Sequence, residues 1–186
     1  LKLHIKSLYS NTQNVNFLIE NILNWIKSQG DNLSVEITEF NLSQLIDKIE
    51  GELSISLDKK KITLSKDSIN DALVIKSDIN ILHLALRNVI TNAVKFSKLG
   101  DCISLSHERN GNYECVIIKD QGRGISEQML KQIGLQKATS KDGTQHEKGT
   151  GLGLPLTFEM IEALKGIVES TSVVNEGTTV TICLPA

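Results

Sequence analysis

Gly149–Gly166 reads GTGLGLPLTFEMIEALKG: three glycines alternate with Thr150 and Leu152, and an amphipathic helix follows at once. Backbone that bare ahead of a helix points to a phosphate, because the first helical turn offers unpaired N–H donors at the positive end of the dipole. The two best-known phosphate loops do not fit. A P-loop ends in Gly-Lys-Ser/Thr, whereas Gly153 is followed by Leu154 and Pro155. The dinucleotide fingerprint has a glycine where Leu156 stands and follows a strand, whereas the residues before Gly149 read as polar loop. The helix is well framed, with Pro155 near its first turn and Gly166 just past its end.

Upstream, Ile125–Lys148 is polar, with four lysines and two glycines and no strong period after Ile133. A stretch that long is a functional lid or disordered. Downstream, Ile167–Ser170 and Thr178–Leu184 read as strands joined by a turn at Asn175-Glu176-Gly177. Cys102–Arg109 and Tyr113–Lys119 flank Asn110-Gly111, a type I′ hairpin signal. Lys61–Ser65 and Ala72–Lys76 have strand character, Ser77 caps a helix running to about Lys98, and Asn41 caps a short helix through Leu42, Leu45, Ile46 and Ile49. The pattern predicts an α+β fold: a two-layer sandwich of a mixed, mainly antiparallel sheet covered by helices on one face.

Residues 1–28 predict one long coiled-coil-type helix ahead of that sandwich. Its seam is Leu1, His4, Leu8, Asn11, Val15, Leu18, Ile22 and Trp25, with steps alternating three and four, and Ile19 and Ile26 widen the stripe. Such a seam needs a partner helix. The full length of 186 residues suits one domain with an appended helix. Twenty basic against twenty-two acidic residues leave a net charge of −2, so no nucleic-acid footprint is indicated. Cys102, Cys115 and Cys183 show no CxxC spacing and lie in strand-like runs, which predicts reduced core thiols. His4, His83, His107 and His146 are scattered and form no metal-ligand pattern. No apolar run reaches the ~18 residues of a membrane span. The chain starts at Leu1, so it is expected to be a fragment of a longer protein.

In NVITNAVKFS, Asn88–Ser97, the side chains of Asn88, Asn92 and Lys95 fall within a sector of roughly 60° on a helix. Leu82, Leu86, Val89, Ala93 and Phe96 form a separate stripe that faces the core. Two carboxamides and an ammonium therefore share the rim of a half-buried helix; the oxygens suit Mg²⁺ and the lysine suits phosphate, while a solvated polar face is the competing reading. Tyr113–Lys119 runs straight into Asp120-Gln-Gly122-Arg-Gly124-Ile125. An aspartate at a strand end followed by two glycines suits recognition of a base edge, with an ordinary Asp-Gly turn as the alternative.

Taken in order, NxxxNAxKF[ST], DxGxGI, a polar lid and GTGLGL before a capped helix resemble the ATP-binding catalytic domain of sensor histidine kinases. That superfamily is shared with DNA gyrase B, the ninety-kilodalton heat-shock chaperone and MutL. The resemblance covers roughly residues 41–186 and ends in GTTVTICLP, similar to the family's closing strand. It implies that Asp120 takes the adenine amine, with Thr178 near the base. It implies that Asn92 and Asn88 hold Mg²⁺, that Lys95 contacts phosphate, and that Gly122 and Gly124 leave room for the nucleotide. Gly149, Gly151 and Gly153, with Thr150 and Leu152 between them, would be lid hinges and backbone donors. ATP and Mg²⁺ are the implied ligands.

In the relatives that hydrolyse ATP, a glutamate at the position of Asn88 activates water. A carboxamide cannot be that base, so transfer to a nucleophile supplied elsewhere is expected. The nucleophile is normally a histidine on a two-helix dimerisation hairpin. Residues 1–30 resemble its second helix, 31–40 a linker, and 41–186 the catalytic domain. No acceptor box is visible, and His4, followed by Ile5-Lys6, is expected to pack the seam. The fragment is thus expected to bind Mg-ATP without phosphorylating itself. Leu130–Ser140 lacks the phenylalanine that the family's lid often carries, and His146 and Lys148 stand within reach of phosphate. Implied partners are a response-regulator receiver domain and, through the complete hairpin, a second copy. The implied location is cytosolic, with any membrane contact made by other segments. Two other readings stand beside this one: a nucleotide-binding interaction module without transfer, and a serine kinase of the anti-sigma-factor type, against which the seam helix speaks.

Overall fold

The asparagine at position 41 starts the first helix as expected: its Oδ1 accepts the Gln44 amide at 2.9 Å. In the computed structural model, which describes residues 35–128, 130, 144 and 153–186, this helix, α1, spans Leu42–Lys60. The expected seam helix at 1–28, most of the polar stretch and Gly149–Leu152 lie outside the described residues. α1 is longer than expected because Leu53 and Leu57 continue the buried stripe of Leu42, Leu45, Ile46 and Ile49. That packing outweighs Gly51, a mid-helix glycine that costs about 1 kcal/mol against alanine.

β1, Thr38–Asn41, pairs antiparallel with β3, Val74–Ser77, in a two-stranded ribbon. β2 is Thr63–Ser68, and both β2 and β3 begin two residues later than expected. α2, Ile79–Phe96, is capped by Asp78 rather than Ser77. Asp78 Oδ1 accepts from Asn80 and Ile81 at 2.9 and 3.1 Å, and its Oδ2 takes the Glu36 amide at 3.0 Å. A carboxylate at the cap also complements the helix dipole, which a serine hydroxyl does not.

β4, Cys102–Asn110, and β5, Tyr113–Lys119, form the expected hairpin. Its two-residue loop is Gly111-Asn112, one residue later than the Asn110-Gly111 signal. Gly111 alone has positive φ, at 60°, which fits a type II′ turn better than the expected type I′. After α3, Gly153–Ala163, come β6, Ile167–Val173, and β7, Gly177–Pro185. The sheet order is β2-β4-β5-β7-β6, with β2 parallel to β4 and the other neighbours antiparallel. Leu105, Ile118 and Val180 stand in register across three strands, with Val116 opposite Ile182 two residues on. All five are buried. The opposite face is mixed, with Thr171, Thr179 and Thr181 beside Ile117, Cys115 and Cys183.

Cys115 and Cys183 are register partners on β5 and β7 and form a disulfide, which corrects the expectation of reduced thiols at these positions; Cys102 is free. A sequence separation of 68 leaves no spacing signal, since only strand register brings the two sulfurs together. Past α3, the left-handed residue is Lys165, at φ 58°, rather than Gly166. Gly166 instead lies against the Cys183 carbonyl, which an added Cβ would meet at 2.5 Å.

Glu36–Ala186 form one unit of contacts. Within it the C-terminus of α2 is held by a buried lysine: Lys60 Nζ donates to the carbonyls of Val94, Lys95 and Ser97 at 2.9, 2.8 and 3.2 Å. These are the carbonyls that a helix end leaves without intrahelical donors. Lys60→Met keeps the stem and takes this donor from the buried Val94 carbonyl, while Thr144 still donates to the carbonyls of Lys95 and Ser97, so urea denaturation should show a loss of about 1–3 kcal/mol. Lys59→Met, on the exposed side of the same turn, should stay within about 0.5 kcal/mol of the parent protein.

Candidate functional site

Where β5 ends, Asp120 is locked to β7. Its backbone N–H donates to the Thr178 carbonyl at 2.9 Å, and its Oδ1 accepts from the Thr178 and Gly122 amides at 3.2 and 2.8 Å. Two backbone donors on one oxygen fix the carboxylate plane. Among the described residues, no donor reaches Oδ2. The group is 7% exposed, and burial raises its pKa above the ordinary 3.8, with the Gly122 and Thr178 amides pulling the other way.

Asp120 opens into a cavity of about 30 Å³ between α2 and the sheet. α2 supplies Val89, Asn92, Ala93 and Phe96; the strands supply Ile118, Thr178 and Val180; Ile125 and Leu154 complete the wall. The lining is an apolar slot with three polar groups, Asp120, Thr178 and Asn92, a composition typical of small-molecule sites. Thr178 Oγ1 is paired with Ser172 Oγ at 3.0 Å, and Ser172 Oγ takes the Ile125 amide at 2.8 Å. Sequence reasoning missed Ser172, and it assigned Phe96 only to the core.

The glycines of the Asp120 loop are explained by protein backbone. A Cβ on Gly122 would lie 2.5 Å from the Phe96 carbonyl, and one on Gly124, at φ 63°, would collide with the Val173 carbonyl. The loop is thereby wedged between the end of α2 and the β6–β7 turn. Arg123 donates its amide to the Phe96 carbonyl at 3.2 Å, lays its guanidinium 4.6 Å over the Phe96 ring, and accepts at its own carbonyl from Asn175 N–H at 2.8 Å. Stacking of a guanidinium on a ring holds Phe96 against the cavity.

The three rim residues of α2 separate. Asn92 lines the cavity, and Lys95 lies with its ammonium 5.0 Å over Phe96. Asn88, 8% exposed, is not part of the cavity lining. Its Nδ2 donates to the carbonyl of Gly153, the first residue of α3, and to Thr157 Oγ1 at 2.7 Å. Gly153 is thus placed beside Asn88, and an added Cβ would strike that carboxamide. Gly149, Thr150, Gly151 and Leu152 lie outside the described residues, as do His4, His146 and Lys148. Among the described residues no group of three or more His, Cys, Asp or Glu forms a metal cluster, and no helix is long and apolar enough to cross a membrane.

Comparison with known proteins bears on the family and the fold. The sequence model of the family described as histidine kinase-, DNA gyrase B-, and HSP90-like ATPase matches residues 77–186. Sporulation kinase A of Bacillus subtilis is 29% identical over 178 residues, which are 96% of this chain and 28% of that protein. The chain therefore spans little more than a quarter of that relative. The catalytic domain of histidine kinase ThkA, solved free of nucleotide, superposes with a TM-score of 0.68 at 27% identity, covering 81% of this chain and 95% of that one. Full-length ShkA in complex with AMPPNP shares the fold, with a TM-score of 0.75 at 18% identity over 99% of this chain and 38% of that one.

The raised pKa of Asp120 has a sign that melting can read. A carboxyl group whose folded pKa lies above its unfolded value contributes stability that is present below 3.8 and lost as pH rises through the folded pKa. At neutral pH the buried charge is a cost. Asp120→Asn keeps an oxygen for the Gly122 and Thr178 amides and removes the charge. It should melt at or above the wild-type temperature at pH 7, with the difference closing as the buffer is taken below 3.8.

Proposed function

The chain belongs to the histidine kinase-, DNA gyrase B-, and HSP90-like ATPase family, and we propose that it is the ATP-binding catalytic part of a two-component sensor histidine kinase. The observation that carries this reading is the Asp120 carboxylate, which lines an apolar slot and is held through Oδ1 by the Gly122 and Thr178 amides. A carboxylate so placed accepts a hydrogen bond from the exocyclic amine of adenine, with Thr178 beside the base. The cavity of about 30 Å³ holds one or two waters, so a purine enters by displacing part of the wall.

The residues present suit magnesium. Asn92 offers a carboxamide oxygen at the cavity, and Asn88 has both amide hydrogens engaged, leaving Oδ1 as an acceptor. Neutral oxygens that leave most of the coordination shell to water and phosphate match the way this ion is held. Bound there, it would neutralise charge on the triphosphate. Lys95 would contact phosphate as a point charge, and Gly149, Thr150, Gly151, Leu152 and Gly153 would supply backbone donors and hinges. Gly122 and Gly124 would shape the loop beneath the nucleotide.

Asn88 has no basic lone pair to activate water. We therefore read the reaction as transfer: the bond between the γ-phosphorus and the bridging oxygen of ATP breaks, a bond from phosphorus to a histidine ring nitrogen forms, and ADP leaves. The acceptor histidine would sit on a hairpin of which residues 1–30 form the second helix, with 31–40 as linker and 41–186 as the catalytic domain. This chain would then be unable to phosphorylate itself, the full-length protein would dimerise through the complete hairpin, and the kinase would serve a receiver domain in the cytosol.

Mg-ATP at about 100 times its dissociation constant should stabilise the protein by about 2.7 kcal/mol, and Asp120→Asn should abolish the shift. An unmoved melting temperature with both Mg-ATP and Mg-ADP would sink the reading. Radiolabelled ATP mixed with this chain and a separately made acceptor hairpin should place acid-labile, base-stable label on the hairpin. Steady hydrolysis at enzyme-like rates would point instead to the hydrolysing branch of the family.

A further inference from the structure

Thr157 lies one turn into α3, fully buried, and faces Asn88. Its hydroxyl donates to the Gly153 carbonyl at 3.1 Å and accepts from Asn88 Nδ2 at 2.7 Å, while the same Nδ2 also donates to Gly153 O. The three groups close a ring in which each hydrogen has one direction available. A carbonyl can only accept, so the hydroxyl proton goes to Gly153 O and the hydroxyl lone pair is left for the amide. A carboxamide has two N–H donors, and both are now engaged. Its oxygen keeps both lone pairs.

We infer that Thr157 is a positioning residue: it holds the Asn88 carboxamide with nitrogen toward α3 and oxygen free for the magnesium–nucleotide complex. This rests on the reading of the cavity as a Mg-ATP site and extends it to a residue that does not touch the nucleotide. The terminal torsion of an asparagine side chain is broad and nearly two-fold, so one hydrogen bond leaves the amide room to rotate and two do not. Packing alone would be served equally by valine. The hydroxyl contributes orientation, and orientation matters only to a ligand that tells oxygen from nitrogen, as a hard cation does. The arrangement also links α3 to α2 at the point where the glycine-rich segment ends.

The test compares calorimetric ATP titrations with magnesium and with EDTA for wild type, Thr157→Val and Thr157→Ser, all in the intact chain. Residues that orient a metal ligand typically change metal affinity by about 10–100-fold, so Thr157→Val should cut the ratio of EDTA to magnesium dissociation constants about tenfold. Its dissociation constant in EDTA should stay at the wild-type value, and Thr157→Ser should keep the wild-type ratio. An unchanged ratio in the valine variant overturns the inference, as does an equal loss in valine and serine, because serine keeps the hydroxyl and the loss would then come from disturbed packing. Wild-type protein that binds no ATP in either buffer overturns the ATP-site reading and this inference with it. Should the valine variant fail to fold, nuclear magnetic resonance of the wild type decides. The Asn88 side-chain N–H protons should stay protected from exchange when magnesium and ATP are added while its carbonyl carbon shifts, and loss of that protection overturns the assignment.

Discussion

One carboxylate oxygen holds the candidate site together. Asp120 Oδ1 receives an amide from its own loop, at Gly122, and an amide from β7, at Thr178, while the Asp120 N–H returns a bond to the Thr178 carbonyl. The end of β5 and the start of β7 are thereby closed around a single side chain. The same residue lines the slot beneath α2. Burying a carboxylate is costly without donors, and two amides on one atom offset much of that cost without consuming the recognition edge. The wedge of Gly122 and Gly124 between Phe96 and Val173 then fixes how far the loop stands from the helix.

Much of this architecture was legible in the chain because its signals are local. Asn41 announced a helix by its cap, Tyr113–Lys119 announced a strand by its apolar run beside the Asn-Gly turn signal, and Asp120 at that strand's end stands where the structure opens a cavity. Local signals failed where tertiary packing decided. α1 runs on past Gly51 because Leu53 and Leu57, at four-residue steps from Ile49, are buried and outweigh the glycine, while β1 is short and half exposed and had no periodic signature. The Cys115–Cys183 bond depends on strand register, which composition does not encode.

The site shows the same division. Helical spacing placed Asn88, Asn92 and Lys95 on one face of α2, but spacing carries no information about what covers that face. α3 covers the first, the cavity takes the second, and an aromatic ring lies under the third. Thr157 gave no signal at all, since a threonine in an apolar helix reads as packing until its partner is known. The roles of Gly122 and Gly124 were expected to be room for a ligand, and the structure gives each a backbone carbonyl as its immediate neighbour.

The two ends of α2 are pinned differently from the wall that faces them. Asp78 ties its first turn to the Glu36 amide, and the Lys60 ammonium clasps its last carbonyls. A beam fixed at both ends does not give way when a guest arrives. The other side of the slot is held less deeply: Leu154 rides on α3, and little but Thr157 and Ile161 of that helix is buried. The fold thus sets a stiff anvil against a more lightly seated jaw, and any give in the slot falls to the helix that leads out of the glycine-rich segment.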